Sequence, residues 1–470
     1  MTNGKVDLQF ANVTELRGPL VFVSGVAGVG WDEFCSVHLS SGQVRHGLVL
    51  EVDRDLAIIQ MLEGTEGMRL SGSSVRFEGR PLRAPVGEGW LGRTCNGRGE
   101  PLDDGPPILS ATTAPVNGFP LNPTSRQPPE DAVLTGVSAI DLLTTLVRGQ
   151  KLPIFSAAGL PHLELATQIA AQARVAGQAA DAGAAEGPFC VIFAGMGLTH
   201  ADAAMVRDVL EERSSAGELA LLLNTADDPV IERILTPRIA LTVAEHLAYE
   251  CGRHVLVVMA DMTSYCEALR EVSSARGEIP ARRAYPGYLY SDLASLYERC
   301  GRIYGKPGSV TLMPVLTMPS GDITHPVPDT TGYITEGQIV LAQGVAGRGI
   351  YPPIDPLSSL SRLMRKAAGA GRTSADHLQV AAQLEAALSR ARQARELSEL
   401  VGAAALNTTD QLYIEFAGRF ESDVVSQGQT VSRSFGATLE LAWESLKVLP
   451  RRELTMLPAD VQAAHAVDGW

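Results

Sequence analysis

From about residue 5 to 80 the chain alternates apolar and polar positions in short runs closed by glycine: LVFVSG, FCSVHLS, GQVRHGLVLEVDRD and LAIIQML. A period of two is the mark of strands with one buried face, and several at this spacing predict a small β-barrel over residues 1–80. Residues 81 to about 130 are rich in proline and glycine (PLDDGPPI, FPLNPTSRQPPE) and read as an ordered connector rather than a core. From about 131 to 355 the runs change character. LPIFSA, FCVIFAG, LALLLNT, HVLVVMA and SVTLMPVLTM are almost continuously apolar, as strands covered on both faces must be, and they alternate with helical stretches. A mostly parallel sheet is predicted. In TPRIALTVAEHLAYE, Thr236 can cap a helix whose first position is Pro237. AGQAADAGAAEG, 176–187, reads as a flexible surface loop. After YPPIDPLSSLSRLM the chain is nearly all helical, with ADHLQVAAQLEAALSRARQARELSELV and ATLELAWESLKVL carrying helical periodicity. The predicted organisation is multidomain: a barrel over 1–80, an α/β domain over 81–358 and a helical bundle over 359–470.

Composition narrows the function. The 470 residues are 45% hydrophobic and 20% charged, with a formal net charge of −14. Such a surface does not suit a general nucleic-acid binder, which needs cations to neutralise phosphates. The longest apolar runs, such as VLVVMA, fall far short of the roughly 20 residues of a membrane span, so any membrane link is expected through partners. The start, MTNGKVDLQF, lacks a charged-then-apolar signal pattern. Six widely spaced cysteines without a CxxC pair read as buried free thiols in a reducing compartment, not as disulfides or a metal site.

Two glycine segments invite a phosphate-loop reading. GVAGVGWD, 25–32, has its two glycines at the required spacing, but Trp31 stands for the lysine and Asp32 for the hydroxyl residue. A carboxylate there repels phosphate and no helix follows, so a turn between strands is the better reading. KLPIFSAAGLPHLELATQIAAQA, 151–173, has the right context of strand, turn and helix. A working loop holds phosphates with backbone N–H groups and the helix N-terminus, neutralises them with lysine, and ligates magnesium with Ser or Thr. Aligned on Gly159, with Ser156 before it, the segment puts Pro161 at the second glycine, His162 at the lysine and Leu163 at the hydroxyl. Proline lacks the N–H donor, and leucine binds no metal. Taken alone, an ordinary strand-to-helix turn is the plainer reading.

The wider context changes that. FAGMGLTHADAAMVRDVLEE (193–212), LLLNTADDPVIERILTPRIALTVAEHLAYE (221–250) and HVLVVMADMTSYCEALREVSSARGEIPARRAYPGYLYSDLASLYERCGRI (254–303) resemble the B subunit of rotary V/A-type ATPases and ATP synthases. MPSGDITHPVPDTTGYITEGQIVL (318–341) and GIYPPIDPLSSLSRLM (349–364) do the same, as do NGRGEPLDDGPPI and GFPLNP earlier in the chain. The resemblance implies a β-barrel, a RecA-like nucleotide-binding domain with a degenerate phosphate loop, and a C-terminal helical domain. It also implies an alternating ring of three catalytic A and three non-catalytic B subunits, peripheral to the membrane on the cytoplasmic side. Central and peripheral stalk subunits would couple that ring to ion transport. ATP or ADP and Mg²⁺ at the A–B interface would be held mainly by the A subunit, with no cofactor belonging to its B partner.

Particular positions take their meaning from the resemblance. Catalytic relatives carry a GxGER-like stretch whose glutamate polarises water; GMGLTH here puts Leu198 at that glutamate. Asp261 lies where a Walker B aspartate would, and without a hydroxyl partner it is expected to cap the next segment instead. SLSRLM resembles the segment that carries an arginine finger, which singles out Arg362; arginine stays charged and presents a rigid fork to a γ-phosphate. Tyr333 in TGYITEGQ resembles an interface position near the nucleotide, although a tyrosine between strands is also a common core residue. Arg282 and Arg283 belong to a Pro/Gly loop that in rotary rings faces the central shaft, with an exposed structural loop as the alternative. Two other functions compete with the non-catalytic role. A self-sufficient hexameric ATPase of the flagellar-export or Rho-like kind requires the missing lysine, hydroxyl and glutamate. A stand-alone nucleotide sensor requires tight binding without that lysine.

Overall fold

Seven antiparallel strands form the N-terminal unit of the computed structural model, which describes residues 9–10, 12–176, 188–402 and 406–465. Their order across the sheet is Gln9–Phe10, Ser74–Pro81, Glu33–His38, Val44–Asp53, Leu56–Met61, Leu20–Ser24 and Val13–Arg17. The alternation in the sequence sorts the side chains. Val21, Val23, Cys35, Val37, Val49, Ile59 and Val75 fill the unit's own core, while Leu48 and Leu62 belong to the core of the domain behind it. GVAGVGWD is the turn between the Leu20–Ser24 and Glu33–His38 strands. Gly25 and Gly28 adopt φ of 76° and 71° there, which β-branched residues would resist.

The central sheet runs Leu360–Ser361, Gly337–Leu341, Ile154–Ala157, Ser309–Met318, His254–Ala260, Phe189–Leu198, Leu219–Thr225 and Thr94–Asn96. All neighbours from Gly337–Leu341 to Thr94–Asn96 are parallel, and Leu360–Ser361 is the antiparallel edge. Every residue of His254–Ala260 is buried, which is why that segment reads as one unbroken apolar run.

Several expectations need correction. The 81–130 stretch is not merely a connector: Thr94–Asn96 extends the sheet, and Trp90 and Cys95 are buried in its core. Three residues are too few to display a period. The helix expected to open at Thr236 in fact spans Val230–Tyr249, with Pro237 inside it. The Thr236 hydroxyl caps nothing and donates to the Glu232 carbonyl at 2.8 Å. Proline removes one helical hydrogen bond, and burial of Ile234, Leu235, Ile239 and Leu241 offsets that loss. Tyr333 lies on the Pro326–Ile334 helix between two strands and is exposed rather than part of the core. Five of the cysteines are buried, but Cys251 is exposed because it follows the C-terminus of the Val230–Tyr249 helix; all six are free thiols. The 176–187 loop lies, apart from Ala176, outside the described residues.

The C-terminal part contains helices His377–Val401, Thr408–Arg419, Phe435–Leu446 and Ala459–Ala464, with a π-helical turn at Phe420–Val425. Leu384, Leu388, Phe416, Phe420, Trp443 and Leu446 share one core with Leu163, Leu165 and Ile169. The helical domain is therefore packed on the helix that follows the glycine turn. Gln168 reinforces that junction, its amide donating to the carbonyls of Gly428 and Val431 at 3.1 Å.

Candidate functional site

The Ile154–Ala157 strand ends beneath the turn at 158–161, and helix His162–Gln172 departs from it. Gly159 holds φ 80° with open space where a Cβ would stand, so the backbone keeps the shape of a cradle. The side chains do not complete it. Ser156 is buried, and its hydroxyl donates to the Ala157 carbonyl at 2.9 Å. Pro161 stands at the N-cap without a side-chain cap. The Nδ1 of His162 lies 2.9 Å from the Leu160 carbonyl, which it can satisfy only as a donor. Its Nε2 is 3.9 Å from Asp261, beyond hydrogen-bond reach. Leu163 is buried in the shared core.

Strands Phe189–Leu198 and His254–Ala260 bring their C-terminal ends to the same place, where ligands collect in parallel sheets. The first delivers Leu198, buried against Gly195. The second delivers Asp261, which caps helix Met262–Ala275 by accepting from the Thr263 N–H at 2.6 Å. Its other oxygen accepts from the Thr317 hydroxyl at 2.8 Å. Gly159, Pro161, His162, Leu163, Leu198 and Asp261 thus line one cleft of about 410 Å³. Its remaining ionisable groups are Glu164 and Asp202, so three carboxylates face a single imidazole and no lysine or arginine lines the cleft. These residues do not fit a magnesium nucleotide: no fixed cation meets the phosphates, no hydroxyl stands at Leu163, and both Asp261 oxygens are engaged. Among the described residues no cluster of His, Cys, Asp and Glu could hold a metal ion.

Arg362 and Tyr333 do not line that cleft. Arg362 follows the Leu360–Ser361 edge strand, separated from the cradle strand by Gly337–Leu341 alone. Its backbone N–H donates to the Glu336 carbonyl at 3.0 Å. The guanidinium is exposed and makes no hydrogen bond or ion pair with the described residues. Tyr333 is 75% exposed on the helix leading to Glu336.

The anchor beneath Arg362 escaped the sequence reading. The Glu336 carboxylate accepts from the Lys151 backbone N–H at 2.8 Å and pairs with its ammonium at 2.8 Å. Glu298 meets the same ammonium at 3.1 Å, and the Lys151 side chain is 4% exposed. Burial pushes the Lys151 ammonium down, but Glu336 and Glu298 outweigh it and leave the group above its ordinary value. Gln150 donates to the Glu336 carbonyl and the Ser361 hydroxyl, each at 3.0 Å. No local signal could have revealed partners lying 147 and 185 residues away. Arg282 donates to the Thr324 carbonyl at 2.9 Å, and Arg283 pairs with Asp322 at 2.8 Å, so this exposed loop is tied to the 319–326 segment.

Three family models match in the order of the three structural parts. They describe the beta-barrel domain of the ATP synthase alpha/beta family (residues 13–79), its nucleotide-binding domain (136–361) and the C-terminal domain of V and A type ATP synthases (366–466). The B subunit of the A-type ATP synthase of Aeropyrum pernix is 52% identical over 446 residues, covering 95% of each chain. Among solved structures, the ATP synthase subunit NeqB from Nanoarcheaum equitans superposes with a TM-score of 0.70 at 35% identity, covering 88% of this chain and 98% of that one.

Proposed function

The chain belongs to the B-subunit family of A/V-type ATP synthases, and from that premise we propose that it is the non-catalytic partner whose Arg362 completes an ATP site on an adjacent A subunit. Membership implies a complex with other ATPase subunits. The finer reading is an alternating A–B ring, turned against central and peripheral stalks and coupled to ion movement, with ATP or ADP and Mg²⁺ held mainly by the A partner. A peripheral, cytoplasmic-side location goes with it; among the described residues no helix is long and apolar enough to cross a membrane.

The observation that carries this reading is the contrast between the cleft inside the sheet and the segment at its edge. The cleft offers no lysine or arginine, has leucine at 163 and buries Leu198, whereas Arg362 stands exposed without an ion-pair partner among the described residues. An unpaired guanidinium on an anchored segment is suited to charge that develops on a neighbour's γ-phosphate, a contribution of about 10³–10⁵-fold in rate. A self-sufficient ATPase gains no support from the same cleft.

The test uses the chain mixed with its A partner. The chain alone should show no ATP hydrolysis, the ring should hydrolyse ATP, and Arg362→Ala should reduce turnover by about 10³-fold or more with assembly intact. Undiminished turnover by an assembled Arg362→Ala ring would sink the assignment.

A further inference from the structure

The sheet holds Arg362 by a short edge. Strand Leu360–Ser361 is two residues long and pairs in register with Gln338 and Gly337. Arg362 adds one more backbone bond, from its N–H to the Glu336 carbonyl at 3.0 Å. A Cβ at Gly337 would stand 2.3 Å from the Leu360 carbonyl oxygen, so the two strands meet this closely only at a glycine. Strand ends of this length fray readily, whereas a group that must meet a transferring phosphate has to stay in place: a misplacement of about 1 Å can cost about 10²-fold in rate.

A side chain from far earlier in the chain secures this edge. Gln150 is 0% exposed, and its backbone is locked to the sheet: its N–H donates to the Val147 carbonyl and its carbonyl accepts from the Leu312 N–H, both at 2.9 Å. The side-chain oxygen accepts from the Val147 N–H at 2.9 Å, which fixes the plane of the amide. Its Nε2 then donates to the Glu336 carbonyl and to the Ser361 hydroxyl, each at 3.0 Å. The first of these acceptors is the carbonyl that also takes the Arg362 N–H, and the second belongs to the residue before Arg362. The Ser361 hydroxyl passes its own hydrogen to the Thr145 carbonyl at 3.2 Å.

On the other side of Arg362, Leu363 packs against Ala132, Val147 and Ala367. The turn from Val147 to Gln150 therefore grips the chain both before and after Arg362, while the guanidinium between the two holds stays exposed. A methionine would fill the place of Gln150 without the cost of burying an amide. What the amide adds is direction, two donors in one plane aimed at the two backbone segments that meet at Arg362. We propose that Gln150 is a positioning residue for Arg362, fixing the backbone from which the guanidinium reaches a neighbouring site, an inference that rests on the reading of Arg362 as the group completing that site.

Gln150→Met keeps length and removes both donors. In the ring assembled with the A partner it should lower kcat about tenfold or more, with the KM for ATP within about twofold of the parent's. In a ring that carries Arg362→Ala it should change the residual turnover by less than about twofold, because no guanidinium is left to position. In the full-length chain alone, backbone amides of 358–364 should exchange hydrogen about tenfold faster, with those of Leu219–Thr225 unchanged. Ser361→Ala removes one of the two acceptors and little volume; it should move kcat and exchange in the same direction, and it keeps the test intact should Gln150→Met fail to fold. Parent-like kcat, parent-like exchange at 358–364, or an undiminished loss on top of Arg362→Ala would overturn the positioning role. Full turnover by Arg362→Ala alone would instead overturn the reading of Arg362 itself.

Discussion

Arg362 hangs from Glu336: its backbone N–H donates to the Glu336 carbonyl at 3.0 Å, while the Glu336 carboxylate holds the buried Lys151 ammonium at 2.8 Å. An exposed cation is thereby fixed to the sheet through an ion pair whose ammonium is buried and whose carboxylate is partly exposed. The rigidity belongs to the backbone beneath the side chain, leaving the guanidinium free to meet an anion from outside.

Glu336→Gln keeps the shape and the acceptor for the Lys151 N–H but removes the charge. Lys151 then retains Glu298 alone, and a loss of about 1–3 kcal/mol in stability is expected, read by chemical denaturation. If Glu336 positions Arg362, the assembled ring should also lose turnover about tenfold with little change in KM. Full turnover with the stability loss would leave Glu336 a purely structural residue.

Tyr333→Ala removes an exposed ring from the Pro326–Ile334 helix, so the isolated chain should keep its stability to within about 0.5 kcal/mol. In the ring, loss of an aromatic contact worth about 0.5–1.5 kcal/mol should raise the KM for ATP about two- to tenfold. An unchanged KM would remove Tyr333 from the interface.

Adding a lysine and a hydroxyl to the cleft should create nucleotide binding without chemistry. In the triple variant Pro161→Gly, His162→Lys and Leu163→Thr, Gly159 already supplies the turn and Asp261 already stands opposite. Calorimetry should show ATP binding at least tenfold tighter than in the parent and dependent on Mg²⁺. Hydrolysis should remain absent, because Leu198, buried in the same cleft, offers no carboxylate to orient water. Binding no tighter than the parent's would mean that the loop backbone, not its side chains, excludes nucleotide.

Glu232 makes stability depend on pH. It is buried on the Val230–Tyr249 helix, accepts from the Gly97 N–H at 3.0 Å and lies 3.4 Å from Arg98. Burial, reinforced by the nearby Asp228 charge, raises its carboxyl to about 7, above the unfolded value near 4.5. A group raised in the folded state lends its full stability below the unfolded pKa and loses it as pH rises through the folded one. Glu232→Gln should therefore be more stable than the parent at pH 8 by up to about 3 kcal/mol, read by chemical denaturation, with the gap closing near pH 4.5. A gap independent of pH would show that Glu232 does not titrate in this range.

The long apolar runs were legible because each strand is buried on both faces over most of its length: LALLLNT, HVLVVMA and SVTLMPVLTM coincide with the observed strands. Thr94–Asn96 was not, since a three-residue strand acquires its identity only from its partner Leu221–Leu223. The start of the Val230–Tyr249 helix was hidden by Pro237, a residue that usually opens a helix and here lies inside one. The cleft at Gly159 was foreseeable in its residues but not in its charge, because Glu164 and Asp202 come to it from two different helices.

The amino-acid sequence by itself determined the kinds of element and the side chains at 161, 162, 163 and 198, none of which is a cation at neutral pH or a hydroxyl, because side-chain chemistry and short-range periodicity are local properties. Tertiary structure alone decided that Lys151 and Glu336 anchor the segment bearing Arg362 and that Asp261 is satisfied by Thr317. Those relationships depend on burial and on distances between residues remote in the chain. They come into being only when the sheet closes over its helices.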